Sequence, residues 1–131
     1  MSVRNQNHLQ RILVVDDDHL VADTLALIFE KNSFEAMATY SGEEALECLH
    51  RFSPDLLLCD ITMPGMDGLK LVQQVSSQLP SCRIIVLTAF YSNVEPVRNQ
   101  FEKLSRPVGL LMKPCQPVEL LREAKTLLTS S

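Results

Sequence analysis

Short apolar runs punctuate this chain, and each stops at a polar residue. Ile12-Leu-Val-Val15 ends at Asp16-Asp17-Asp18, Leu56-Leu-Leu-Cys59 at Asp60, Ile84-Ile-Val-Leu87 at Thr88, and Val108-Gly-Leu-Leu-Met112 at Lys113. A weaker run over Glu35 to Thr39 reads as one more strand. The runs are continuous rather than alternating, so these strands are expected to be buried on both faces, as in a parallel sheet.

Helical periodicity fills the gaps. Val21, Leu25, Ile28 and Phe29 share one face. Ala45 and Leu49 do the same after Ser41, which with Glu44 makes a capping box. Leu69, Val72, Val75 and Leu79 form a third stripe, and Val94, Val97, Phe101 and Leu104 a fourth. Leu120, Leu121, Ala124, Leu127 and Leu128 form the fifth, with Pro117 near its start, where proline is tolerated. Each stripe reads first as core. The pattern is βα repeated five times. It predicts an α/β fold: one doubly wound parallel sheet with right-handed crossovers and helices on both faces. A single domain over 11–129 follows a polar, flexible lead-in over 1–10.

Composition narrows the classes. Hydrophobic residues are 46%, charged residues 21% and the net charge is -4, which describes an ordinary globular domain rather than a disordered one. A nucleic-acid module is usually basic, so direct DNA or RNA binding is not expected. No apolar run reaches the roughly 18 residues that a membrane span needs, and residues 1–10 lack the apolar segment of a secretory signal. The chain carries four cysteines, Cys48, Cys59, Cys82 and Cys115, none in a Cys-x-x-Cys pair. That argues against zinc. Cys59 reads as a small buried hydrophobe, and a reduced cytoplasmic setting is expected.

The chemistry is expected at one rim, because ligands of open parallel sheets bind beyond the carboxyl ends of the strands. There the fold gathers carboxylates, one hydroxyl and one ammonium. Carboxylates packed together repel one another, and a divalent cation relieves that. Hard oxygen ligands suit magnesium, so Asp16, Asp17 and Asp60 read as an incomplete magnesium site. An Asp run after a strand also reads as a turn or a helix cap; for Asp18 the cap is the favoured reading. Asp60 is the candidate nucleophile, since a carboxylate can take a phosphoryl group as an acyl phosphate. Lys113 would supply a fixed cation and Thr88 a hydrogen bond to the phosphoryl oxygens. In the segment Asp60-Ile-Thr-Met-Pro-Gly-Met-Asp-Gly68, the Thr62 carbonyl is a candidate metal ligand.

Taken together, Leu-Val-Val-Asp16-Asp17-Asp, Leu-Leu-Leu-Cys-Asp60-Ile-Thr-Met-Pro-Gly-Met-Asp-Gly, Val-Leu-Thr88-Ala89 and Lys113-Pro114 resemble the response-regulator receiver domain over essentially the whole chain. The resemblance implies a flavodoxin-like (βα)5 fold with strand order 2-1-3-4-5. It implies phosphorylation of Asp60 by a sensor histidine kinase or a histidine phosphotransfer protein. Asp17, Asp60 and the Thr62 carbonyl would bind Mg2+ directly, with Asp16 acting through water, and Thr88 and Lys113 would touch the phosphoryl group. In relatives the Lys-Pro bond is often cis. Output would pass to a downstream protein through the face of the fourth helix, fifth strand and fifth helix, which also pairs two copies in some relatives. The chain ends soon after the fifth helix, so output from a partner is expected rather than from a domain of its own.

Two features depart from the family pattern. Leu110 stands where relatives usually carry an aromatic that turns inward on phosphorylation, with Phe90 or Tyr91 as candidate substitutes. The stretch between Thr88 and Lys113 is long and holds Pro96 and Ser105-Arg-Pro-Val. Thr62 and Phe90 would flank the water that removes the phosphate, a self-directed step only; no enzyme turning over a separate substrate is expected. An aspartate-nucleophile phosphatase would want a second aspartate at position 62, where Thr62 stands. A phosphorylation-independent adaptor is the alternative that Leu110 keeps open. A flavin binder of the same fold is disfavoured by aspartates where its phosphate-cradling loop would be.

Overall fold

The computed structural model describes residues 9–61, 68–88 and 108–129. Its elements run β1 (Arg11–Val15), α1 (His19–Glu30), β2 (Glu35–Thr39), α2 (Gly42–Phe52), β3 (Leu56–Asp60), α3 (Gly68–Gln78), β4 (Arg83–Thr88), β5 (Val108–Met112) and α4 (Pro117–Thr129). The predicted helix over Val94 to Leu104 lies outside the described residues, so α4 is the fifth predicted helix. The five strands form one sheet in the order β2-β1-β3-β4-β5, and every pairing is parallel.

Continuous apolar strands produce two cores because successive side chains point to opposite faces. On one face Leu13, Val15, Leu57, Cys59, Ile84 and Val86 pack under Ala45, Leu49 and Phe52 of α2 and Leu71, Val72 and Val75 of α3. On the other, Ile12, Val14, Leu56, Leu58, Ile85 and Leu87 pack under Ala22, Ala26 and Phe29 of α1 and Leu120, Ala124 and Leu127 of α4. Cys59 is fully buried, as a small hydrophobe in that run should be. No helix among the described residues is long and apolar enough to cross a membrane.

Local signals work as written, with two adjustments. The Asp18 side chain accepts from the Val21 N–H at 3.2 Å and caps α1. Ser41 caps α2 through Glu44 N–H at 3.0 Å, while the Glu44 carboxylate reaches back to the Tyr40 N–H, one residue further than the usual box. The buried face of α1 centres on Ala22, Ala26 and Phe29, with Val21, Leu25 and Ile28 only half-buried. The predicted stripe is therefore turned by one residue, because small alanines let the helix axis approach the sheet. At the foot of the sheet the backbone is tied across: Arg11 N–H donates to Asp55 Oδ2 at 2.8 Å, Asp55 N–H to the Arg11 carbonyl at 2.8 Å, and Arg83 N–H to the Asp55 carbonyl at 2.9 Å.

Candidate phosphoacceptor site

The parallel register brings the strand ends level. Val15 stands opposite Cys59, Asp60 opposite Leu87 and Thr88 opposite Met112. Backbone bonds continue past the strands: Asp16 N–H donates to the Thr39 carbonyl at 3.1 Å, Ile61 N–H to the Leu87 carbonyl at 3.0 Å, and Lys113 N–H to the Thr88 carbonyl at 2.8 Å. Asp16, Asp60, Thr88 and Lys113 are thus fixed by the sheet itself, while Asp17 is carried by the loop beyond β1.

There the ligand-capable oxygens of Asp16, Asp17 and Asp60 all lie within 4.8 Å of one another. Lys113 Nζ bridges two of them, 3.1 Å from Asp16 Oδ2 and 3.1 Å from Asp60 Oδ2. Asp16 and Asp60 are buried, Asp17 is exposed and Lys113 half-buried. The Asp18 N–H donates to the other oxygen of Asp16 at 2.9 Å. Burial pushes the Asp16 carboxyl above the ordinary aspartate range; the hydrogen bonds from Asp18 and Lys113 oppose this without cancelling it. For Lys113, burial pulls the ammonium down, but the hydrogen bonds to Asp16 and Asp60 outweigh it and hold the group above the usual lysine range. Lys113 therefore stays charged at neutral pH. The donor set is entirely hard oxygen, and one lysine does not neutralise three carboxylates. These residues fit a small, hard divalent cation.

The structure brings Asp16, Asp17, Asp60, Thr88 and Lys113 to one rim. Thr88 is fully buried at the end of β4, and its carbonyl holds Lys113. The Lys113–Pro114 peptide is cis. Thr62, Phe90 and Tyr91 lie outside the described residues. Leu110 is half-buried and packs against the α2–α3 side of the core. Thr39 was missed by sequence reasoning: it is 2% exposed, its carbonyl anchors Asp16, and its hydroxyl donates to the Val14 carbonyl at 2.8 Å. A threonine closing a strand is too common to have flagged this.

Five parallel strands in the order 2-1-3-4-5, with an acidic cluster and a lysine at the carboxyl rim, have the arrangement of a receiver-type signalling domain. The response regulator receiver domain family matches residues 12–125, and the chain belongs to that family. The regulatory protein VanR of Enterococcus faecium is 31% identical over 118 residues, covering 88% of this chain and 48% of VanR. The DNA-binding response regulator MtrA of Mycobacterium tuberculosis H37Rv is 34% identical over 118 residues, covering 88% of this chain and 49% of MtrA. The chain thus spans about half the length of these relatives. Among solved structures, a CheY-like receiver domain protein from Methanospirillum hungatei superposes with a TM-score of 0.83 at 29% identity, over 92% of this chain and 94% of that one.

Proposed function

We propose that this chain is the phosphoacceptor of a two-component phosphorelay, modified on Asp60. The observation that carries the reading is the bridge from Lys113 to both Asp16 and Asp60, with Asp17 completing a three-carboxylate cluster. An Asp60 oxygen would attack phosphorus as the N–P bond of a phosphohistidine donor breaks, leaving an acyl phosphate on Asp60 and the electron pair on the departing imidazole. The donor would be a sensor histidine kinase or a histidine phosphotransfer protein. Lys113, already charged, would pair with the new phosphoryl oxygens, and the Thr88 hydroxyl would donate to another. Asp16, Asp17, Asp60 and the Thr62 carbonyl would hold Mg2+, which when bound offsets charge on the transferring oxygens. Thr62 and Phe90 would flank the water that later removes the phosphate. Phosphorylation would shift a two-state equilibrium on the face that carries β5 and α4, and so change affinity for a downstream protein or a second copy. DNA contact belongs to MtrA as its name states; for this chain, with a net charge of -4, we propose none, and a cytoplasmic setting.

The test is intact mass after incubation with acetyl or carbamoyl phosphate and magnesium. One phosphate-sized gain, lost in Asp60→Asn and in EDTA, is expected. Leu110 favours one competing reading, a phosphorylation-independent adaptor, because it replaces the usual rotating aromatic. That reading requires no mass gain and no binding of beryllofluoride in a folded sample.

A further inference from the structure

The acidic loop is gripped from outside the carboxylate cluster. The His19 imidazole stacks on the Tyr40 ring, with centroids 3.8 Å apart and planes 20° from parallel. The Tyr40 hydroxyl donates to Asp23 Oδ1 at 2.6 Å, and the Tyr40 N–H donates to Glu44 Oε1 at 2.7 Å. One residue back, Thr39 bonds Val14 through its hydroxyl and Asp16 through its carbonyl. The pair Thr39–Tyr40 therefore touches the chain just before the loop, at 14–16, and just after it, at 19 and 23.

This matters most for Asp17. Lys113 bridges Asp16 and Asp60, which are buried between strands. Asp17 is exposed, and its place in the cluster depends on the path of the loop that carries it. Three carboxylates within 4.8 Å repel one another, so that loop is under an outward push. A ring stack at its far end opposes the push.

We infer that His19 and Tyr40 are positioning residues: their stack holds residues 16–18 so that the Asp17 carboxylate stays with those of Asp16 and Asp60, and it thereby sets the affinity for the divalent cation. The inference rests on the reading above that this cluster takes such a cation. Groups that orient metal ligands commonly change affinity by about 10–100-fold. This stack acts through the backbone and not on the carboxylate itself, so the low end, about tenfold, is expected.

The test uses the full chain, with Mg2+ binding followed by calorimetry, Mn2+ binding by electron paramagnetic resonance, and melting temperature in EDTA. His19 is exposed, so its replacement leaves the core intact. His19→Ala should weaken both metals about tenfold with little change in melting temperature, and His19→Phe, which keeps a ring on Tyr40, should restore affinity. Unchanged affinity in His19→Ala overturns the inference alone. So does a His19→Phe protein that stays weak, since imidazole would then act as a ligand or a charge and not as a stacking plane. An unsubstituted chain that binds neither metal removes the cation reading and this inference with it.

Discussion

A Cβ placed on Gly68 would lie 2.7 Å from the carbonyl oxygen of Asp60 and 2.7 Å from the Cα of Ile61. Both neighbours are backbone, so neither can swing aside. The first turn of α3 thus packs directly on the end of β3, and the Gly68 N–H donates to the Ile61 carbonyl at 3.2 Å. Gly68→Ala should cost about 1–3 kcal/mol, the usual range for forced overpacking, seen as a lower midpoint in urea. It should also slow labelling of Asp60 by acetyl phosphate, because the residue displaced is the one carrying the proposed acceptor carboxylate.

Lys113 keeps Asp16 and Asp60 together before any cation arrives. Removing one partner of a buried pair costs about 3–5 kcal/mol. The Lys113 side chain is 27% exposed, so water replaces part of what it provides, and a loss of about 1–3 kcal/mol is expected for Lys113→Ala in EDTA. Added Mg2+ should recover more stability in the variant than in the unsubstituted chain, since the ammonium no longer competes for the same oxygens. Urea titrations with and without Mg2+ check both statements. Labelling of Asp60 should persist, with a blunted conformational response.

Asp16 gives a pH dependence whose sign is fixed by burial. Its folded carboxyl is held above the unfolded value of about 3.9. A group raised on folding contributes stability that is fully present below the unfolded pKa and lost as pH rises through the folded one. In EDTA, then, Asp16→Asn should gain stability over the unsubstituted chain as pH climbs above about 4. The gap should close in more acid solution. Denaturant midpoints at acid and neutral pH decide it, and a gap that widens toward acid would contradict the burial argument.

Cys115 is the half-buried member of four free cysteines, yet it should be a poor nucleophile. Burial pushes its thiol up to about 11, helped by Glu119, whose carboxylate accepts the S–H at 3.5 Å. Iodoacetamide should modify it slowly at pH 8, with the rate climbing toward pH 11. Glu119→Gln should move that rise to lower pH, and peptide mapping by mass spectrometry reads the site directly.

Much of this was legible because each of these candidate site residues closes an apolar run. Asp16, Asp60, Thr88 and Lys113 stand at strand ends, and parallel strands with right-handed crossovers bring such ends to one rim. Asp18 was legible as a cap because capping is a local bond to a residue three positions on. The α1 face was misjudged by one residue, since alanine weighs little in a hydrophobic stripe although Ala22 and Ala26 are what let the helix approach the sheet. Thr39 and the His19–Tyr40 stack were not legible at all. Their contacts span two loops that are adjacent only because β2 lies beside β1, and no periodicity along the chain encodes that neighbour.

The polar ties among Arg11, Asp55 and Arg83 at the foot of the sheet give the molecule a mechanical asymmetry. The sheet is tied across its root by hydrogen bonds to the main chain and carries three clustered carboxylates at its tip. A change of charge at the rim therefore acts first on the groups gathered there, with the foot of the sheet a full strand length away.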